Sequence, residues 1–371
     1  MTEPNARRPN ILLVMTDQHR KGAVGCYPNA AGHPVSTPNL DRLAEQGVVF
    51  DTAYTTCPVC SPARASLQTG LYPFAHGMQT NLFTSGCMVH ELADGPTLLA
   101  RRLKTLGYTT AYTGKWHLGY GADARSDPRF VERFEDIEAH LHRVELPAEY
   151  QRVTALPSTR GYDLADDFPG HGGGGHAYPQ FEKYLADHGL QRTIDPKSPN
   201  RGILTSGPET SVEHFLAERA IHHIDTMNRD DTPWFCALNF WGPHDPAWVP
   251  EEHFAPYRDR PLAPWPSFDE DTSDKPSIHA VKRSRAPWSK FECHLRYHYA
   301  YVSFIDEQIG RVLDHLARTG CADNTVVIFT ADHGDSLGIH GGLMDKSFFL
   351  YEDTAAIPLI IHDPRAGEAR R

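Results

Sequence analysis

The residues with the clearest capacity for chemistry lie in CPVCSPARASLQTG, residues 57–70. Cys57 and Cys60 stand three positions apart, a spacing open to a redox dithiol, half of a zinc site, or one nucleophile that needs a base. The sequence has no second CxxC, which weakens zinc. A thioredoxin-like dithiol stands just after an early strand and opens a helix, and that placement is roughly met. Pro62 and Arg64 follow Cys60 at spacings of two and four, and neither the dithiol nor the zinc reading uses them.

Two other constellations bear on the choice. Asp17, Gln18, Asp332 and His333 supply carboxylate, amide oxygen and imidazole, a set suited to a divalent cation, with oxygen donors favouring Ca²⁺ or Mg²⁺. The plain alternative is that each Asp caps a helix or turn after a strand. Lys115, His117, His244 and Lys346 are candidate cationic and acid/base groups around an anion: lysine is a compact point charge for a sulfate- or phosphate-like oxygen, and histidine exchanges a proton near neutral pH. With 22 histidines in the chain, most must be surface or structural, and His19, His33 and His76 are assigned there. HGGGGH at 171–176 is similar to the oxyanion glycines of some esterases, but it reads as a flexible loop.

Short apolar β-type runs alternate with helical patterns, as in an α/β fold. Strands are expected at 10–16, 48–54, 108–113, 234–240, 325–330 and 357–361. Helices are expected at 39–46, 61–69, 96–106 and 291–318, the first with Thr37 as N-cap and Pro38 at its first position. The last carries an apolar stripe at Val302, Ile305, Ile309, Val312, Leu313 and Leu316. Two long excursions, 120–210 (polar, His- and Gly-rich) and 243–290 (Pro- and Trp-rich), interrupt the rhythm and are expected to shape a pocket. The polar clusters 17–19, 115–117, 243–245 and 332–333 each follow an expected strand directly. In open α/β sheets ligands bind beyond the carboxyl ends of the strands, so largely parallel strands would bring these clusters to one edge.

The chain has 371 residues, 40% apolar and 22% charged, with a formal net charge of −11. That size suits one large α/β domain or two modest ones. The acidic balance argues against nucleic acid or an anionic membrane as partner, and no stretch is long enough to span a bilayer. Basic residues precede the apolar run 11–15, but that run is too short for a signal peptide and Asp17 ends it. Seven scattered cysteines and no export signal lead to an expectation of reduced thiols and a cytoplasmic location.

Taken together, RPNILLVMTDQ, TPNLDRLAEQGVVF, CSPARASLQTG, GKWHLG, ADHG, GLMDKSFFLYE and IPLIIHDP occur in an order that strongly resembles the sulfatase family of the alkaline-phosphatase-like superfamily. The resemblance covers nearly the whole chain apart from the excursions. It implies one catalytic domain over 1–371, with a mixed, mostly parallel central sheet flanked by helices. In that family the cysteine of C-x-P-x-R is oxidised to formylglycine by a separate maturation enzyme, formylglycine-generating or anaerobic, which makes Cys60 the precursor of the nucleophile and leaves Cys57 without a chemical role. A hydrated aldehyde carries two hydroxyls on one carbon: one attacks sulfur, and deprotonating the other expels sulfate.

By the same resemblance Asp17, Gln18, Asp332, His333 and the matured Cys60 hold the metal, with Ca²⁺ expected ahead of Mg²⁺ or Mn²⁺. Arg64 holds the formylglycine, Lys115 and Lys346 bind the sulfate oxygens, His244 protonates the leaving alcohol, His117 is the base, and Asn81 also reaches the anion. The implied substrate is a sulfate monoester of a small molecule or sugar. Two departures matter. Many members carry Asp-Asp and Asp-Asn where Asp17-Gln18 and Asp332-His333 stand, and the pairs here resemble members that include phosphonate monoester and phosphodiester hydrolases. Those relatives replace the lysine and histidine of GKWHLG by hydroxyl residues, whereas Lys115 and His117 are present, which favours sulfate. Members also usually continue past the last strand into a smaller C-terminal subdomain, so the expectation is that this subdomain is missing. A non-catalytic or truncated relative is the remaining alternative.

Overall fold

A computed structural model describes residues 8–82, 89, 91–119, 155–168, 171, 178–346 and 348–366. The framework is a seven-stranded sheet in the order β2-β10-β9-β1-β7-β3-β4. Its strands are β1 (Asn10–Asp17), β2 (Val48–Val49), β3 (Thr109–Gly114), β4 (Leu164–Ala165), β7 (Trp234–Pro243), β9 (Thr325–Ala331) and β10 (Leu359–His362). The run β9-β1-β7-β3-β4 is parallel throughout, and β10 pairs antiparallel with β9 and β2. The mixed, mostly parallel sheet expected from the sequence is therefore present.

β1 shows why these residues form a central strand. Seven of its eight positions are buried, as a strand covered on both faces requires. Leu12 and Val14 enter the larger core cluster and Leu13 the smaller one, following the two-residue alternation of a pleated strand. Helices supply the two covers. The largest, Trp288–Arg318, buries Val302, Ile305, Ile309, Val312 and Leu316 along one face.

Three local expectations need correction. The strand expected at 48–54 is reduced to β2, with Tyr54 making only an isolated bridge to Ala356. The helix Pro38–Gln46 is not capped by the Thr37 side chain, which instead donates to Asp41 and accepts from the Gly25 amide. Its free amides at Asn39 and Leu40 bond the buried Asp306 carboxylate at 3.0 and 2.8 Å, a cap delivered by tertiary structure. The excursions are not plain loops in their described parts. β5 (Ile194–Ser198) and β6 (Arg201–Leu204) from the first join β8 (Ala247–Pro250) from the second, with β6 and β8 parallel. Within HGGGGH only His171 belongs to the described residues.

Candidate active site

The site forms where the parallel strands end. Main-chain bonds pin each post-strand segment to its neighbour: Asp332 N–H donates to Thr16 O at 3.1 Å, His244 N–H to Asp17 O at 3.2 Å, and Lys115 N–H to Asn239 O at 3.0 Å. Asp17, Lys115, His244 and Asp332 are thus fixed at one edge because β9, β1, β7 and β3 are adjacent. A register irregularity between Met15 and Asp17 marks the point where the ladder gives way to the site.

Cys60 arrives from another direction, as the first residue of the helix Cys60–Thr69. Pro62 sits in its first turn, where a missing amide costs nothing, and Gly70 ends it in the left-handed conformation at φ 72°. Asn81 Oδ1 accepts from the Ser61 amide at 2.9 Å. The four-residue spacing puts Cys60 and Arg64 on one face, and both are buried. Arg64 Nε donates to Asp332 Oδ2 at 2.9 Å and Nη1 to Lys115 O at 2.8 Å, while Nη2, 3.7 Å from Asp17 Oδ2, has no hydrogen-bond partner.

Asp17, Cys60, Asp332 and His333 are all buried and offer ligand atoms within 4.8 Å of one another. Cys60 Sγ lies 3.2 Å from His333 Nε2 and 3.7 Å from Asp17 Oδ1. His333 Nδ1 meets the Gly334 carbonyl at 2.9 Å. A carbonyl only accepts, so Nδ1 carries the proton and the Nε2 lone pair faces the cluster, the tautomer a cation needs. Burial pushes His333 down to about 4, and Asp332 opposes that only in part, so the ring is neutral. Burial raises Asp332, but His333, Arg64 and Lys115 overcome it and hold the carboxyl below its usual range.

The lysines test whether a cation fits. Lys115 Nζ bonds Asp17 Oδ2, and Lys346 Nζ bonds Gln18 Oε1. Each ammonium sits on an oxygen that the sequence assigns to a metal, so these oxygens attract positive charge in the fold as it stands. The donor set of two carboxylates, an amide oxygen and an imidazole fits a divalent ion.

Beyond the cluster lie the imidazoles. Burial pushes His117 and His244 well below the ordinary histidine range, and the Lys115 and Lys346 charges push the same way. His117 is buried, with Nδ1 lacking a hydrogen-bond partner. His244 Nδ1 donates to Asp245 O at 2.6 Å. Sequence reasoning missed His171, whose ring centroid lies 5.0 Å from that of His117 and 4.7 Å from that of His244. Its glycine neighbours drew the reading toward a loop; in the structure Trp241 Nε1 donates to the His171 carbonyl at 2.9 Å. Asp335 was missed too: its carboxylate accepts from Gln18 Nε2 at 2.6 Å. His19, His33 and His76 make local structural bonds, to Thr16 and Ala23, to Tyr299 and Ala263, and to Ser66.

The fold and this edge define a class of α/β proteins built around a buried cation-type cluster with a cysteine at its centre. The sulfatase family model matches residues 9–371, and the chain belongs to the sulfatase family. It is 31% identical over 369 residues to the uncharacterized sulfatase YidJ of Escherichia coli (strain K12), covering 98% of this chain and 64% of the relative. It is 29% identical to the multifunctional alkaline phosphatase superfamily protein PehA of Trinickia caryophylli, covering 98% of this chain and 69% of the relative. The crystal structure of the phosphonate monoester hydrolase of Agrobacterium radiobacter matches with a TM-score of 0.69 at 24% identity, over 96% of this chain and 68% of that one. Against YidJ and two further curated relatives the chain spans 64%, 64% and 56% of their lengths. Among the described residues no helix is long and apolar enough to cross a membrane.

Proposed function

We propose that this chain hydrolyses sulfate monoesters to alcohol and sulfate, with residue 60 matured to formylglycine and a divalent cation, Ca²⁺ in the first instance, on Asp17, Gln18, Asp332, His333 and residue 60. The observation that carries this reading is the position of Cys60. Its sulfur is one of the four ligand atoms that lie within 4.8 Å of one another in the buried cluster, and burial pushes the thiol up to about 11 despite Lys346 and Arg64. A thiol held neutral is a poor nucleophile, whereas the same position suits a hydrated aldehyde, whose second hydroxyl provides the route out of a sulfated state. Cys57 is also pushed up to about 11, by burial, which disfavours a redox dithiol.

When bound, the cation would lower the pKa of the attacking hydroxyl and draw charge from the sulfate. The chain's own residues do the rest. Arg64, fixed on Asp332 with Nη2 unpaired, is placed to orient residue 60. Lys115 and Lys346 supply point charges for the sulfate oxygens and the bridging oxygen, where charge develops. Asn81, tied to Ser61, steadies the helix start and borders the anion. His117 takes the proton that releases sulfate.

His244 has Nδ1–H committed to a carbonyl, so a proton for the leaving alcohol must come from Nε2. Burial, then the Lys346 and Lys115 charges, keeps the ring neutral. A bound sulfate ester offsets those charges and favours the imidazolium that a general acid requires.

A second reading, phosphonate monoester or phosphodiester hydrolysis, is supported by Gln18 and His333, on a fold shared with a phosphonate monoester hydrolase. Against it stand Lys115 and His117, both in place. Peptide mass spectrometry of the Cys60 segment from native-host protein, followed by turnover of an aryl sulfate against an aryl phosphonate, tests both. Formylglycine with sulfate preferred supports the first reading. Phosphonate preference supports the second, and an unmodified thiol with no turnover leaves the non-catalytic relative.

A further inference from the structure

We propose that Asp335 is a positioning residue for the cation site: by accepting a hydrogen bond from the Gln18 amide nitrogen, it turns the Gln18 amide oxygen toward the cation. The proposal rests on the cation reading above and adds a residue to it.

The argument starts from the glutamine side chain. Its amide has an oxygen that can ligate a cation and an NH₂ that cannot, and the two ends are nearly the same size. A glutamine in a cation shell therefore needs something that selects the flip. An ionised carboxylate only accepts hydrogen bonds, and Asp335 Oδ2 lies 2.6 Å from Gln18 Nε2. An ammonium only donates, and Lys346 Nζ meets Gln18 Oε1. An acceptor-only group on one side and a donor-only group on the other select the same orientation independently.

Asp335 is itself held. It is buried, and its Oδ1 accepts from the Leu337 amide at 3.0 Å, so Oδ2 has little freedom to leave Gln18. Gln18 is fixed at the backbone by its amide bond to Asp332 Oδ1 at 3.0 Å. The N–H···carboxylate bond also polarises the amide and makes its oxygen a better donor. Asp335 thereby lends a neutral ligand part of a charge that it carries one side chain further out.

The test is calorimetric titration of Ca²⁺ and of Mn²⁺ into the full, unmatured chain at pH 8, with wild type, D335N, Q18D and the double variant Q18D/D335N. An asparagine in place of Asp335 carries no charge and has donors of its own, so Gln18 loses one of the groups that select its flip and the polarisation of its amide; D335N is expected to lower cation affinity 10–100-fold, the range for lost outer-shell partners. In Q18D both side-chain oxygens are equivalent and no flip needs preventing, while Asp335 becomes a like-charge neighbour. D335N in that background should leave affinity unchanged or raise it. Equal losses in both backgrounds would show that Asp335 acts only through the Leu337 turn and would overturn the proposal, as would an unchanged affinity in D335N alone. Should D335N not fold by thermal melt, Asp335→Ser, whose hydroxyl still accepts from Leu337, takes its place with the same expectations. A wild type that binds neither ion refutes the cation reading itself, which is distinct from a wild type that binds while D335N is indifferent.

Discussion

Lys115→Met probes whether the lysines occupy the place of a cation's charge. Lys115 and Asp17 are both fully buried, and the ammonium bonds Asp17 Oδ2. Methionine keeps most of the stem's volume, so the packing penalty is small, and the main loss is one positive charge. Arg64 remains, 2.9 Å from Asp332 but 3.7 Å from Asp17, so Asp17 loses its close partner. Breaking a buried pair costs about 3–5 kcal/mol. Burial already pushes the Lys115 ammonium well below its ordinary range, against the pull of Asp332, so the lower figure applies. A cation at about a thousand times its Kd contributes about 4 kcal/mol by linkage, and without Lys115 competing for Asp17 the variant should bind it more tightly than wild type does. Urea denaturation in EDTA should show a deficit of about 3 kcal/mol, and saturating Ca²⁺, which stabilises both proteins, should shrink it by about 1.4 kcal/mol for each tenfold by which the variant binds the ion more tightly. The same deficit with and without Ca²⁺, or a wild type indifferent to the ion, would refute the reasoning.

Two further outcomes follow from the same geometry. Cys60→Ala should abolish turnover of an aryl sulfate by matured protein, while Cys57→Ser should retain most of it; equal losses would restore the dithiol reading. Glu213 lies buried beneath the Tyr301 hydroxyl, which donates to it, and burial raises its carboxyl to about 7 against the lowering effect of that bond. Because the folded pKa is raised above the ordinary 4.5, its contribution is fully present below about pH 4.5 and is lost as pH rises to about 7, on the order of 3 kcal/mol in all. Glu213→Gln should remove that loss from the pH profile of urea midpoints, and an unchanged profile would show that Glu213 is not the group responsible.

The sheet-edge part of the possible metal-binding cluster was legible because its residues come directly after strands, and four of the strands that carry site residues proved adjacent and parallel. Asp17, Lys115, His244 and Asp332 needed only the rule that parallel strands end together. Lys346 and Asn81 follow no strand; Lys346 was singled out by its residue type, and Asn81 only by the family resemblance. Asp335 was hidden for a different reason: two positions past His333 it reads as a turn residue, and its function depends on a partner more than 300 positions away in sequence. The Pro38–Gln46 helix shows the same limit. Thr37 has the right type and place for a cap, but the amides go to Asp306 on the long helix, a choice that local propensity does not contain.

The two halves of the site have different supports, and that separation can be tested. The side proposed to hold the cation hangs from the central sheet. The side that carries His244, the proposed acid, is braced by the excursions: β6 pairs with β8, and Arg201 on β6 donates to Asp245 at 2.8 Å, next to His244. His244 in turn bonds the Asp245 carbonyl, so Arg201 steadies the ring through its neighbour. Arg201→Met keeps the stem and removes that tether. It should slow hydrolysis of alkyl sulfates, whose leaving alcohols need a proton, about tenfold or more, and leave nitrophenyl sulfate, whose leaving group needs none, within about twofold. Ca²⁺ affinity should not change, because no cation ligand is touched. Equal slowing of both esters, or a weakened Ca²⁺ site, would mean that the excursions and the sheet edge act as one unit and that His244 is not the proton donor.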